Sequence, residues 1–260
     1  MKVLRGVISV IATIALVAVF VGAGFLVCTT PPVTQMLANT FSDDVTSPFS
    51  RSQLVQVANA TRDYSFGAHD QAALYRTIYE VDRDFERQIE SSGGIVPADF
   101  PYLDAVNNPS DPTQVAAVFA RASEMYCYWP ETVSHLDDCF ALAKVAYPAL
   151  AVLALVGVAC LVFAGVTGGK RTVGSVLRAA GIVVLVAFVG LGAWAAIDFS
   201  GFFTQFHALF FSQGNWTFPY DSLLICALPT TFWAGMGVVW LFVTLLVSLI
   251  CVAAGSKMRK

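Results

Sequence analysis

The chain reads as an all-α integral membrane protein with four transmembrane helices and a small, mostly helical extracellular cap. Three observations predict this. Hydrophobic residues make up 57% of the 260 residues and charged residues only 13%, a balance foreign to soluble domains and to disordered chains. Four apolar runs, 6–27, 146–166, 179–197 and 231–255, are each about long enough to cross a hydrocarbon core as a helix. Charge is also segregated by sign between those runs. Lys2, Arg5, Lys170, Arg171, Arg178, Lys257, Arg259 and Lys260 sit in segments that contain no acid, whereas all 18 Asp and Glu and the other seven basic residues lie in 28–145 and 198–230. Excess Lys and Arg marks the cytoplasmic side. The sequence therefore predicts cytoplasmic termini at 1–5 and 256–260, a cytoplasmic loop at 167–178, and extracellular segments at 28–145 and 198–230. A multi-pass protein of the cell membrane follows, with its chemistry at the outer face. Basic residues this few and this divided exclude nucleic acid as a partner.

The first run resembles a signal peptide at its start but spans 22 residues, longer than an h-region of roughly 7–15. Val27 rather than a small residue precedes Cys28. The run is expected to be an uncleaved anchor. In the first outer segment Thr30–Pro32 leads out of the membrane, and Leu54, Val57, Ala58, Tyr64, Leu74, Ile78, Val81 and Phe85 recur at three-to-four spacing, the period of a helix face. Ser92-Gly93-Gly94 ends that helical stretch, and 97–112 reads as an irregular loop. A helix over 112–126 follows, with Asp111 as N-cap. The whole segment is too small to be a catalytic domain alone.

Ser134 followed by Asp137 has the form of a capping box with Asp in place of Glu, opening a long helix that runs into the second apolar run. Lys144 is placed to snorkel and Pro148 to bend the helix. His135 would then stand in the first turn, where the helix dipole favours neutral imidazole. Asp138, three residues on, is spaced to orient its ring.

Ten aromatic residues crowd the 27 residues from Trp194 to Tyr220, with His207 four residues from both Phe203 and Phe211. Helical spacing puts Phe203, Phe206, Phe210 and Phe211, with Trp216, around that imidazole as a pocket lining. An interfacial aromatic belt is the competing reading, although a belt explains Trp and Tyr better than six Phe in thirteen residues. The stretch 212–219 turns the chain back. The third histidine, His69, reads as structural.

Of six cysteines, Cys160 and Cys251 fall inside apolar runs as small buried hydrophobes. An oxidising exterior permits a Cys127–Cys139 disulfide, with Cys226 and Cys28 as competitors. Nucleophile-elbow and zinc-helix motifs are absent from the sequence. Gly168-Gly169-Lys170-Arg171 lacks Walker spacing and serves as a turn. No acid or base interrupts the four runs, which argues against an ion or proton transporter.

Ser134-His135-Leu136-Asp137-Asp138 resembles the "H-[M/L]-x-D" element opening the second membrane helix of the bacterial lipoprotein intramolecular transacylases. The stretch Phe206-His207-Ala208-Leu209-Phe210-Phe211, followed by Trp216, Phe218, Pro219, Asp221, Leu223, Pro229 and Phe232, is similar to that family's second signature. Order, topology and lengths agree over essentially the whole chain. The departures are Cys139, where an aliphatic residue is usual, the turn Gln213-Gly214-Asn215, which lacks an acid, and a longer outer segment that matches only around 58–67.

The resemblance implies four membrane helices under an extracellular cap. It also implies transfer of the sn-2 acyl chain of a lipoprotein's diacylglyceryl-cysteine onto the cysteine α-amino group, giving an N-acyl lyso-form. Its partners are then the modified lipoprotein N-terminus and membrane lipid, no cofactor or metal is expected, and His135 and His207 become the catalytic residues. Amine and ester belong to one substrate, so no acyl-enzyme is required. Orientation, a base for the ammonium proton and an acid for the departing glyceryl oxygen suffice. The first expectation is His135, oriented by Asp138, as base and His207 as acid or oxyanion donor, with the reverse left open. Two other classes compete: a non-enzymatic assembly or partner-binding membrane protein, and a metal-dependent hydrolase using His135, Asp138 and His207.

Overall fold

A computed structural model describes residues 2–211 and 213–260; Ser212, in the expected turn at 212–219, lies outside them. The described residues form helices and irregular connections without a strand. We number the helices α1 (Lys2–Cys28), α2 (Pro31–Phe41), α3 (Arg51–Phe66), α4 (Gln71–Ser91), α5 (Pro112–Phe119), α6 (Pro130–Ile197), α7 (Phe199–Phe210), α8 (Leu223–Ala227) and α9 (Thr230–Arg259). A short 3₁₀ turn, Leu103–Ala105, interrupts the irregular stretch read over 97–112. Contacts divide the chain into one unit of residues 2–28, 144–205 and 237–260, and another of 29–143 and 206–236.

The first unit is built from the apolar runs. Helices α1, α6 and α9 are each long and apolar enough to cross a membrane. Helix α6 is two helical arms joined at Gly169, whose φ of 71° and ψ of -178° break the helix. Glycine adopts that φ without the steric cost a Cβ would bring, which is why the Gly-Gly pair marks the turn. The first arm runs antiparallel to α1 and the second antiparallel to α9. On α1, Gly22 abuts Leu150, Ala15 and Leu16 lie beside Gly157, and the Arg5 guanidinium donates to the Thr167 carbonyl at 2.9 Å. A methyl group on Gly174 would come within 2.6 Å of the Gly255 carbonyl oxygen, and one on Gly255 within 2.5 Å of that of Gly174. Small residues at such crossings let backbones approach, as apolar helices in lipid require. Thr13, Thr167, Thr172 and Ser248 each donate to the carbonyl four residues back. Pro148 lies inside α6 without breaking it.

The second unit has its own core. Leu54, Val57, Ala58, Tyr64, Leu74, Ile78 and Val81 are buried as their spacing predicts, and Phe85 is partly buried against them. The stretch read as one helical run is two helices, because Gly67 ends α3 and Asp70 caps α4, accepting from the Ala73 N–H at 3.1 Å. Ser50 and Gln53 form a reciprocal capping box at the start of α3. Three local expectations need correction. Residues 31–41, given no element by the sequence, form α2 with Pro at its first positions, where a missing N–H costs nothing. Helix α5 is capped by Asp111 but stops at Phe119, not 126. Helix α6 starts at Pro130, so Ser134 is helical and no capping box forms there.

The expected Cys127–Cys139 disulfide is also absent, and both thiols are free. Cys127 is buried and donates to the Phe119 and Ser123 carbonyls at 3.3 and 3.4 Å. The Cys139 sulfur instead faces His135. Of the two competitors for pairing, Cys226 is a free, buried thiol and Cys28 is buried.

Candidate active site

Starting α6 at Pro130 puts His135 in its second turn. The dipole contribution falls off within the first turn, so neutrality must come from elsewhere. His135 is only 8% exposed. Burial, and then the nearby His207, push its pKa down to about 4, against a smaller upward pull from Asp138. The imidazole is neutral throughout the physiological range.

His207 comes from α7 and is equally buried. It lies in the last turn, and its carbonyl accepts from the Phe211 N–H at 2.7 Å. The two imidazole centroids are 6.2 Å apart with planes inclined by 29°. Phe211 lies against both, at 4.8 Å from His135 and 5.6 Å from His207. Trp216 covers His207 at 5.0 Å and Phe218 covers His135 at 5.7 Å. The structure therefore brings two histidines, distant in sequence, into one aromatic enclosure.

Five lining residues were expected. Phe211 and Trp216 line the imidazoles, and Phe206 touches His207 at 5.8 Å. Phe210 packs on Phe206 at 4.9 Å and is 45% exposed. Phe203 packs on Phe199 at 6.0 Å. Phe218 was missed as a lining residue, although its place two residues after Trp216 was the available signal.

Asp138 does not orient His135. Its Oδ2 accepts from the side-chain amides of Gln213 and Asn215, at 2.5 and 2.8 Å. The acid ties the loop carrying Trp216 and Phe218 to α6, and an i,i+3 spacing could not reveal a partner from 75 residues away. Among the described residues His135 Nδ1 is buried with no hydrogen-bond partner, while Nε2 lies 3.7 Å from the Cys139 sulfur.

His69 is placed as a structural residue. Its ring is sandwiched between Tyr64 at 4.3 Å and Phe140 at 3.8 Å. Nδ1 lies 3.0 Å from the Tyr64 carbonyl oxygen, Nε2 lies 3.5 Å from Asp137, and Tyr64 donates to the same Asp137 oxygen at 2.5 Å. Burial and that carboxylate raise the Tyr64 pKa. Among the described residues no three His, Cys, Asp or Glu side chains are grouped to hold a metal ion.

No curated protein sequence matches this chain. Its fold matches the in meso structure of the membrane integral lipoprotein intramolecular transacylase Lit from Bacillus cereus, with a TM-score of 0.69 over 99% of this chain and 97% of that one, at 12% identity. At that identity the likeness is one of fold. Residues 123–233 match the family model of lipoprotein intramolecular transacylase Lit, and they contain His135, His207 and every ring around them. That segment of the chain is similar to the lipoprotein intramolecular transacylase Lit family.

Proposed function

We propose that this protein is a four-span membrane enzyme that moves the sn-2 acyl chain of a diacylglyceryl-modified lipoprotein onto the α-amino group of its N-terminal cysteine. The observation that carries the reading is the pair of buried imidazoles, 6.2 Å apart, inside the family-matched segment. The reaction is an aminolysis within one molecule. Its N–C bond forms as the ester C–O bond breaks, and one proton must pass from the amine to the departing glyceryl oxygen. Two imidazoles divide that work: one handles the proton and the other stabilises charge on the carbonyl oxygen. Holding amine and ester together supplies orientation, worth about 7–11 kcal/mol in favourable cases. Phe211, Trp216 and Phe218 keep water from competing with the amine. The sign pattern of the connecting segments supports cytoplasmic termini and histidines at the outer face.

The test is reconstitution of the purified protein in lipid with a synthetic diacylglyceryl lipopeptide. Wild type should give N-acyl, lyso-glyceryl product without added cofactor. His207→Gln and His135→Ala should each slow it by at least about 10²-fold. Full activity in both variants would end the reading.

A further inference from the structure

Cys139 has no part in the reaction just described, yet its thiol faces His135. It lies one helical turn further along α6, with its sulfur 3.7 Å from His135 Nε2. The inference rests on the transacylase reading and concerns which nitrogen of His135 carries the proton.

A neutral imidazole has one N–H and one lone pair, and the partner of one nitrogen decides the state of the other. Burial, with Asp138 next, raises the Cys139 thiol to about 12, so the sulfur keeps its proton. A thiol is a weak donor and sulfur a weaker acceptor, whereas an imidazole lone pair accepts well. The favoured arrangement is S–H donating to Nε2. That leaves the ring proton on Nδ1, the atom that is buried without a partner among the described residues. A buried N–H left unsatisfied is costly and calls for an explanation, and a substrate oxygen provides one.

We propose that Cys139 is a positioning residue that fixes His135 as its Nδ1–H tautomer, making His135 the hydrogen-bond donor to the ester carbonyl oxygen and leaving His207 to move the proton. The amine proton passes to His207 and from it to the glyceryl oxygen. His135 keeps its own proton throughout. A ring that stays neutral down to about pH 4 is a poor base for an ammonium group but a good neutral donor, the role another buried, neutral histidine plays in triosephosphate isomerase. The assignment reverses the roles first expected from the sequence. The titratable groups facing His135 are Asp138 and Cys139 from α6 and His207 from α7; Phe211 and Phe218 complete its surroundings without charge.

The experiment is ¹⁵N NMR of histidine-labelled full-length protein in lipid nanodiscs, with resonances assigned through His69→Gln and His207→Gln. In wild type the His135 Nε2 should resonate as an unprotonated acceptor and Nδ1 as a protonated nitrogen. Cys139→Ala should shift the tautomer towards Nε2–H and lower kcat for the lipopeptide about tenfold, the worth of one neutral hydrogen bond, with KM little changed. Cys139→Ser should restore both. A protonated Nε2 in wild type, or a tautomer unmoved by Cys139→Ala, would overturn the proposal. The expected wild-type spectrum in a protein without acyl transfer would instead overturn the functional reading and leave the tautomer assignment standing.

Discussion

His135 shows how far an environment can move a side chain whose identity is unremarkable. Burial is the main cause of its depressed pKa, and the like charge that His207 would carry is second. The unfolded chain takes up a proton near pH 6.5 that the folded protein refuses until about pH 4. Stability therefore falls as pH drops through that window and is unaffected by this residue above it. Unfolding measured by urea titration between pH 7 and pH 4 should lose part of its pH dependence in His135→Gln, up to the slope of one proton; an identical slope would contradict the burial. Asp138 gives a second residue-scale outcome. Its charge raises the His135 pKa, so Asp138→Asn should lower that pKa further and, by weakening the hold on Gln213 and Asn215, quicken diethylpyrocarbonate modification of both histidines. An unchanged rate would mean the loop is held elsewhere. Both histidines stood out in the sequence because of their neighbours, but the partner of Asp138 did not, since loop-to-helix pairing leaves no periodic trace.

At the scale of elements, patterning was most legible where one face of a helix is buried. The stripe from Leu54 to Val81 lies in the second unit's core as its spacing requires, and Asp111 caps α5 as its position suggests. Boundaries were read less well. Helix α2 escaped because Pro31 and Pro32 look like breakers until the first turn, where proline is tolerated, is considered. The start of α6 was placed four residues late because Ser134 imitates an N-cap. No pattern announced Asp82 on α4. It is fully buried, both carboxylate oxygens lack a partner among the described residues, and burial raises its pKa well above the usual carboxylate range, with Glu86 adding to the shift. A buried acid of this kind is held protonated, at a cost that grows with pH. Asp82→Asn should raise the thermal midpoint at pH 7.5 and narrow the difference between pH 5 and pH 7.5. A lower midpoint at both would show that the carboxylate has a partner it needs.

For the whole molecule, the apolar runs carried the architecture. Residues 146–166 and 179–197 are the two arms of α6, and the Gly-Gly pair between them is where the helix breaks. An all-aromatic helix presents rings on every side, and sequence alone cannot say which face meets the histidines. The topology we propose has its own outcome. A cysteine replacing Ile95, which is 93% exposed, should react with a membrane-impermeant maleimide on intact cells, and one replacing Lys170 should react only after lysis. The opposite pattern would move the histidines to the cytoplasmic side.

The central claim is a change of acyl position, which leaves mass unaltered. The direct measurement is tandem mass spectrometry of a lipoprotein's N-terminal peptide from cells that have or lack this protein. Fragments should place an acyl chain on the cysteine nitrogen, with a lyso-glyceryl group on sulfur, only when the protein is present with His135 and His207 intact. Finding both chains still on glycerol in several lipoproteins from cells with the intact protein would contradict the account.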